Sequence, residues 1–180
     1  MHIRFSFFLR CEGKYSKFAE NYHTMAKEIE RKFLVCGDFE PYATTSYRIE
    51  QGYIAGSADL TVRVRIRDEE AFLTIKSRSD AAGLERDEWE WRIGVEEARS
   101  LLRFSAGAIE KTRYIVPHEG HNFEVDRFYG ANEGLVMAEV ELCSRDEEFT
   151  RPAWLGEEVT GDVRYYNSQL LKNPFTKWQK

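Results

Sequence analysis

The sequence predicts a mainly β fold of the α+β class with two short helices. Its 180 residues are 42% hydrophobic and 32% charged, with 12 glycines and four prolines, which is typical of one compact soluble domain. From Lys27 onward, apolar and charged residues alternate over eight runs. This alternation is the period of a strand with two different faces. Turn-forming segments such as AGSAD and SDAAG separate neighbouring runs.

The runs predict strands that lie between short turns and two helices. The first helix is VEEARSLLRF, residues 95–104, which has apolar side chains along one side. The second covers about residues 162–171, where Val163, Tyr166 and Leu170 share a side and Thr160 is a candidate N-cap. The predicted strands cover residues 27–35, 46–54, 60–67, 71–77, 86–93, 108–117, 121–129 and 135–144.

Two segments of different character divide the chain. Residues 1–24 hold four basic and two acidic residues, whereas the remainder holds 22 and 29. We therefore expect residues 1–24 to be an N-terminal extension and residues 25–180 to be a single domain. Met25 directly precedes AKEIERKFLV, so translation that begins at Met25 is an alternative explanation of the same difference.

Charge and cysteine usage exclude several classes of function. The formal net charge of -5 argues against a nucleic acid or an anionic membrane as partner, because phosphate groups are held by clustered Lys and Arg. No stretch approaches the roughly 18 apolar residues of a membrane span. The three cysteines are an odd number without CxxC spacing, which suggests neither a disulfide framework nor a zinc knuckle and favours a reducing cytoplasm.

The polar face of the predicted strands is almost entirely ionic. Two arrangements remain open from the residues alone. Either the apolar faces enclose a core and the ionic faces meet water, or the barrel is inverted, with the ionic faces lining its lumen and helices covering the apolar faces. The charges recur at i and i+2 in Glu28, Glu30 and Lys32; Arg63 and Arg65; Glu88, Glu90 and Arg92; Lys111 and Arg113; Glu124 and Asp126; and Glu139 and Glu141, and Lys76 ends a further strand.

Repeated charge pairs indicate chemistry rather than a solvated surface. One such pair is usually surface, but EIE, EWE and EVE together place like charges side by side, where they repel. Clustered carboxylates are stabilised by a cation, and clustered Arg and Lys by a multiply charged anion such as a polyphosphate. Oxygen ligands without a His/Cys cluster favour Mg²⁺ or Mn²⁺ over zinc.

The segment EIERK, residues 28–32, resembles the ExExK signature of the CYTH domain, or triphosphate tunnel metalloenzyme, superfamily. The resemblance covers about residues 25–171, and the ordered series makes it specific. The further segments are RIEQGYI (48–54), TVRVRI (61–66), LTIKS (73–77), ERDEWEW (85–91), IEKTRY (109–114), FEVDRF (123–128), AEVEL (138–142) and WLGEEVTGDVRYYN (154–167).

The resemblance implies an eight-stranded antiparallel closed barrel that forms a hydrophilic tunnel, with helices packed outside. It implies a cytoplasmic, metal-dependent inorganic triphosphatase that uses Mg²⁺ or Mn²⁺ and a small-molecule triphosphate substrate. Two other enzymes share the family, an adenylate cyclase of the class IV type and a thiamine triphosphatase. A non-catalytic polyphosphate-binding module is a further alternative, and a homodimer is left open.

The resemblance and the charge pattern together give candidate roles. For metal we expect first Glu28, Glu30, Glu139 and Glu141, and then Glu88, Glu90 and Asp126. The alternative for Glu88, Glu90 and Glu124 is an ion pair with arginines of the tunnel. We expect the phosphoryl oxygens of the substrate to be bound by Arg63, Arg65, Lys76, Arg92, Lys111 and Arg113.

Lys32 and Tyr53 are the candidate catalytic residues. Our hypothesis is that they orient or deprotonate the attacking water, whereas a packed tyrosine at a strand end is the alternative for Tyr53. His118 and His121, in the turn HEGHN, lack a third ligand nearby, so we expect surface histidines rather than a metal site. Arg164 is expected in a segment that covers the barrel.

Overall fold

The computed structural model describes residues 16–17, 23–57 and 59–178. Two α-helices lie among the strands, α1 (Val95–Leu102) and α2 (Asn167–Lys172), and four 3-10 turns cover Glu40–Tyr42, Gly130–Asn132, Val163–Tyr165 and Phe175–Lys177. The described part contains ten strands: β1 (Ser16–Lys17), β2 (His23–Val35), β3 (Thr45–Gly56), β4 (Leu60–Arg67), β5 (Glu70–Ser77), β6 (Glu85–Ile93), β7 (Ile109–His118), β8 (His121–Phe128), β9 (Val136–Glu141) and β10 (Leu155–Glu158).

Eight of these strands close into an antiparallel barrel. Their order is β2-β6-β5-β4-β3-β7-β8-β9, and β9 pairs back to β2. The 13-residue strand β2 closes the ring because its first half pairs with β6 and its second half with β9. The short strands β1 and β10 pair with β2 outside this ring. The predicted fold class, a mainly β closed barrel with helices outside, is therefore confirmed.

The barrel is inverted, with its ionic faces inside. Lys111 and Asp126 are 2% and 1% exposed although both are ionisable. On β4, the face opposite Arg63 and Arg65 carries Val64 and Ile66, which pack against Ala98 of α1. Of the two arrangements open from the residues, the one with a charged lumen is correct.

Helix α1 covers the outside of the barrel, and the residues that follow it contact strand β3 at Gly52 and Tyr53. A Cβ atom on Gly52 would lie 2.7 Å from Ser105 Oγ and 2.9 Å from Leu102 Cδ2, so the helix end can approach the strand only over a glycine. The backbone N–H of Tyr53 then donates to Ser105 Oγ at 3.0 Å. This contact holds Tyr53, a candidate catalytic residue, at a fixed depth in the barrel.

The lumen changes from charged to apolar toward one end. Phe128 lies directly opposite Lys111, and Met137 opposite Asp126, so both apolar side chains face the same side as the charged ones. There they pack with Tyr165 and Leu170 of the C-terminal segment in one buried cluster. The C-terminal segment thus covers this apolar end of the lumen.

The prediction of one continuous C-terminal helix over residues 162–171 is wrong. The 3-10 turn Val163–Tyr165 and α2 are separated by Tyr166, whose backbone is extended at ψ 131°. The cap is also different, because the Asp162 side chain accepts from the Arg164 N–H. Thr160 instead accepts from the Lys32 N–H at 3.0 Å, which ties this segment to the middle of β2.

The expectation of surface histidines is wrong for His121. Its side chain is buried, at 6% exposure, because the segment after β9 folds over the β7–β8 hairpin. Glu147 lies 3.1 Å from His121 Nε2, and the Phe149 ring packs edge-on at 5.8 Å. His118 is half-buried, next to Phe123.

The predicted extension over residues 1–24 lies mostly outside the described residues. The exceptions are β1 and the first two residues of β2, so the division at Met25 stays a prediction. Within the described ranges, no helix is long and apolar enough to cross a membrane.

Candidate active site

The cross-strand register brings the predicted site residues into one lumen. Where β2 meets β9, Glu30 lies opposite Glu141 and Lys32 opposite Glu139. Where β7 meets β8, Arg113 lies opposite Asp126. Because directly opposite residues of antiparallel strands point to the same side, each pair shares the lumen although its members are far apart in sequence.

We call Glu28, Glu30, Glu139 and Glu141, on β2 and β9, the acidic wall. Besides the pair Glu30 and Glu141, Glu139 faces Glu124 of β8, so two like-charged pairs lie side by side. Such pairs are unfavourable unless cations separate them. Lys32 supplies one cation, since its Nζ lies 2.8 Å from Glu30 and 2.5 Å from Glu139.

Arg86 is a lumen residue that sequence reasoning missed. Its Nε donates to Glu28 Oε2 at 2.6 Å and its Nη2 to Glu30 Oε1 at 2.8 Å, so one guanidinium bridges both carboxylates of the ExExK segment. Arg86 precedes Glu88 by two residues and therefore shares its face of β6, which is the signal that could have found it.

The carboxyl groups of the acidic wall differ in their proton affinity. Burial raises the pKa of Glu28, but Arg86 and Lys76 outweigh it and hold that pKa well below the ordinary value. Burial also raises the pKa of Glu141, and there the neighbouring carboxylates Glu28 and Glu124 add to it, so the pKa lies well above the ordinary value. Negative charge is thus in excess around Glu141.

We call Arg63, Arg65 and Lys76, on β4 and β5, the basic wall. Glu90 of β6 forms ion pairs with both arginines of the basic wall. Its Oε2 lies 2.9 Å from Arg65 Nη2 and 3.7 Å from Arg63 Nη2. Thr74 completes the group, because its hydroxyl lies 3.1 Å from both Arg63 Nη2 and Glu90 Oε2. The Nε of Arg63 is buried and has no hydrogen-bond partner among the described residues.

Lys76 joins the two walls. Its ammonium group lies 2.8 Å from Glu28 and 2.6 Å from Glu88, which comes from the neighbouring strand β6. Burial raises the pKa of Glu88, only partly offset by the attraction of Lys76. Glu88 thus faces the acidic wall, whereas Glu90 faces the arginines.

Lys111 and Arg113 line the lumen from β7. Lys111 Nζ donates to Asp126 at 2.5 Å, and Arg113 forms a two-point contact with Asp126 at 2.6 and 2.7 Å and reaches Glu139 at 2.9 Å. Burial, aided by the charge of Arg113, lowers the pKa of Lys111 to about 8 although Asp126 opposes it. Glu124 forms a further ion pair with Arg113.

The two candidate catalytic residues lie within this set of charges. Burial alone would lower the pKa of Lys32, but Glu139 and Glu30 outweigh it and raise the pKa, so Lys32 is a cation in this arrangement. Burial raises the pKa of Tyr53, although Arg63 and Lys76 oppose it, so the phenol keeps its proton. Neither side chain is a base in this state.

Arg92 is the candidate that lies farthest from the shared lumen contacts. Its side chain is 51% exposed, and its guanidinium lies 3.3 Å from Glu70 at the start of β5. The structure thus places Arg92 at the rim. Most of the remaining candidates form ion pairs with one another in the lumen, namely Lys32, Arg63, Arg65, Lys76, Lys111 and Arg113 with Glu28, Glu30, Glu88, Glu90, Asp126 and Glu139.

The lumen has the donor chemistry that a hard metal cation needs. Its carboxylate oxygens come with a local excess of negative charge around Glu141, which a divalent cation would relieve. Among the described residues, however, no three His, Cys, Asp or Glu side chains converge as a ready-made metal site. The carboxylates are instead drawn to cations of the lumen, so metal ligation requires an exchange of partners.

A closed barrel whose lumen unites buried carboxylates with arginines and lysines defines a class of protein. It is a tunnel that can hold a polyanion together with a metal cation. The CYTH domain description matches residues 26–169, and the chain belongs to this family. The family is one of metal-dependent enzymes.

Relatives and solved structures agree with this assignment. The chain is 44% identical over 158 residues to an inorganic triphosphatase of Acetivibrio thermocellus. The aligned region covers 87% of this chain and 100% of the relative. It is 40% identical over 149 residues to an inorganic triphosphatase of Nitrosomonas europaea, with 79% and 95% covered. The crystal structure of an inorganic triphosphatase is similar with a TM-score of 0.59, at 36% identity, and covers 80% of this chain and 93% of that one.

Proposed function

We propose that this protein hydrolyses inorganic tripolyphosphate to pyrophosphate and orthophosphate inside its tunnel, with Mg²⁺ or Mn²⁺ as cofactor. The observation that carries the proposal is the division of one lumen into an acidic wall and a basic wall. The similarity to two inorganic triphosphatases supports the choice of substrate. A cytoplasmic location and a homodimer stay predictions of the sequence.

The basic residues bind the phosphate chain. Arg63 and Arg65 present fork-shaped guanidinium groups that suit two-point contacts with phosphoryl oxygens, and Lys76 and Lys111 act as compact charges. Glu90 keeps both arginines oriented before substrate arrives. Arg92, at the rim, contacts the substrate only at the open end of the basic wall.

The acidic residues bind the cofactor. Glu28, Glu30, Glu139 and Glu141 would hold a divalent cation, with Glu88 and Asp126 as candidates for a second. Bound there, the cation polarises the phosphoryl group and neutralises the charge that develops on its oxygens. The contacts of Glu90 favour its alternative role as the partner of Arg63 and Arg65.

Lys32 and Tyr53 orient the attacking water. Because Lys32 is held as a cation and Tyr53 as a neutral phenol, both donate hydrogen bonds rather than accept a proton. The ammonium group stabilises charge on the reacting phosphoryl group, and the phenol fixes the water for attack in line with the leaving oxygen. The proton of the water passes to an oxygen of the transferred phosphoryl group, which becomes orthophosphate, while the bridging oxygen leaves with pyrophosphate. Positioning and electrostatics thus supply most of the rate.

One assay distinguishes this activity from its alternatives. The purified full chain is incubated with Mg²⁺ or Mn²⁺ and, separately, tripolyphosphate, ATP and thiamine triphosphate, and orthophosphate, pyrophosphate and cyclic AMP are measured. We expect rapid orthophosphate release from tripolyphosphate. Cyclic AMP from ATP would support an adenylate cyclase, preference for thiamine triphosphate a thiamine triphosphatase, and tight binding without turnover a binding module.

A further inference from the structure

Arg86 has a position that the proposed hydrolysis does not yet explain. It is a half-buried cation, with 20% of its side chain exposed, yet its two hydrogen-bonded carboxylates are the first candidates for metal. A guanidinium and a divalent cation cannot both lie against the same oxygens of Glu28 and Glu30 without strong repulsion. Either Arg86 is displaced when metal binds, or metal ligation is restricted to other oxygens.

The other cations near these carboxylates differ from Arg86 in how they divide their contacts. Lys76 shares its charge between Glu28 and Glu88, and Lys32 shares its charge between Glu30 and Glu139. Arg86 is the cation whose fork joins Glu28 to Glu30. Arg86 therefore compensates the charges of both Glu28 and Glu30 with a single guanidinium group.

We propose that Arg86 is a positioning residue that couples the two ligands of the tunnel: it occupies Glu28 and Glu30 until metal binds, and the released guanidinium then contacts the phosphate chain. This inference rests on the proposed function and specifies how its two ligands interact. Metal alone must break two ion pairs and leaves the half-buried guanidinium of Arg86 without these two partners, which is costly. A triphosphate anion removes that cost, so each ligand strengthens the binding of the other by the same factor.

The alternative is that Arg86 only holds the carboxylates in the geometry that metal requires. The two roles predict opposite effects when the guanidinium is removed. If Arg86 competes with metal, its loss tightens metal binding in the absence of anion. If it only orients the carboxylates, its loss weakens metal binding.

The test measures binding without turnover. Mn²⁺ is titrated calorimetrically into the metal-free full chain, with and without an imido-bridged tripolyphosphate that resists hydrolysis. For Arg86→Gln we expect Mn²⁺ alone to bind about tenfold more tightly. The strengthening by the analogue should fall about tenfold, to the part that direct attraction between metal and phosphate supplies. Unchanged or weaker Mn²⁺ binding by a folded Arg86→Gln protein would overturn the proposal.

Two further variants keep the test decisive. Arg86→Lys retains the charge but cannot bridge both carboxylates, so Mn²⁺ alone should bind roughly threefold more tightly, and wild-type affinity in this variant would also contradict the proposal. Arg48→Gln is the matched control, because Arg48 forms an exposed ion pair with Glu110 at 2.8 Å on the outside of the barrel. It should leave both affinities unchanged.

The outcomes for this inference and for the proposed function are separate. If the wild-type chain binds neither Mn²⁺ nor the analogue, the proposed function fails. If the wild-type chain binds both and hydrolyses tripolyphosphate, but Arg86→Gln leaves the coupling between them intact, only the role of Arg86 fails.

Discussion

The acidic wall and the basic wall are built from the same kind of strand but solve opposite electrostatic problems. On β2 and β9, carboxylates face carboxylates. The pKa of the half-buried Glu141 is raised first by the loss of water around it and then by its negative neighbours. On β4, two arginines share Glu90, a single carboxylate. The first region thus has an excess of negative charge, and the second has an excess of positive charge.

The difference shows how the lumen accommodates so many charges. Cations such as Lys76 and Arg86 reach into the acidic wall and reduce its repulsion, at the cost of holding charges away from water. On the proposed function, a metal cation would compensate the acidic wall and a polyanion the basic wall. The predictions below test whether the two walls act as separate binding sites.

The largest effect is expected in the acidic wall. Glu30→Gln should lower kcat/KM for tripolyphosphate by on the order of 10³-fold, because it removes one negative ligand from the proposed metal site. Mn²⁺ affinity, measured by calorimetry without substrate, should fall as well. Normal Mn²⁺ affinity in an inactive variant would place Glu30 outside the metal site.

A smaller effect is expected in the basic wall. Arg65→Gln should lower kcat/KM by roughly 10²-fold, and Glu90→Gln by roughly tenfold, because Glu90 acts through the arginines that it orients. Neither variant should change Mn²⁺ affinity in the absence of anion. If Glu90→Gln weakens Mn²⁺ binding instead, Glu90 belongs to the metal site, as its carboxylate pattern also allowed.

Tyr53 tests whether the residues between the walls contribute to turnover. Tyr53→Phe should lower kcat roughly fivefold, the equivalent of losing one hydrogen bond of about 1 kcal/mol, and leave KM unchanged. The melting temperature serves as the control for packing. Unchanged kcat would remove Tyr53 from the mechanism and favour a packed strand-end tyrosine.

The smallest effect concerns stability without metal. The pKa of Glu141 is raised in the folded protein, so between its ordinary value of 4.5 and the folded value the folded state binds more protons than the unfolded chain. Glu141 therefore destabilises the metal-free fold as pH rises through that window. Glu141→Gln should raise Tm in EDTA at neutral pH by about 2–4 °C for each kcal/mol regained.

The same variant should lose this advantage in acid. At pH 4, Glu141 is protonated in the folded wild-type protein, so the two melting temperatures should approach one another. A constant difference across the pH range would show that the amide acts through packing rather than through charge.

The sequence was sufficient for the strands but not for the direction in which they face. Alternation located all eight barrel strands because polar or charged residues recur at every second position in most of them, as in β4 with Arg63 and Arg65 between valines and isoleucine. Alternation is symmetric, however, so it could not say which face is inside. That choice came from the resemblance, and the burial of Lys111 and Asp126 confirms it.

Arg86 shows what limited the prediction of the site. It lies in the run Glu85, Arg86, Asp87, where three consecutive charges leave no apolar residue to mark the outer face of the strand. The ion pairs were also beyond reach, because partners such as Arg65 and Glu90 depend on the register between strands that are not adjacent in sequence. The C-terminal helix was predicted as one piece because its apolar spacing continues across the extended residue Tyr166.

The seam where β9 meets β2 has a consequence for biosynthesis. It joins Lys32 to Glu139, residues that are 107 positions apart, so the acidic wall is assembled from the first and the last strand of the ring. Contacts of such sequence separation form slowly, because the intervening chain must be ordered first. A chain whose synthesis stops before β9 therefore has an open sheet edge and only half of the acidic wall, and β9 completes both the ring and the wall in the same step.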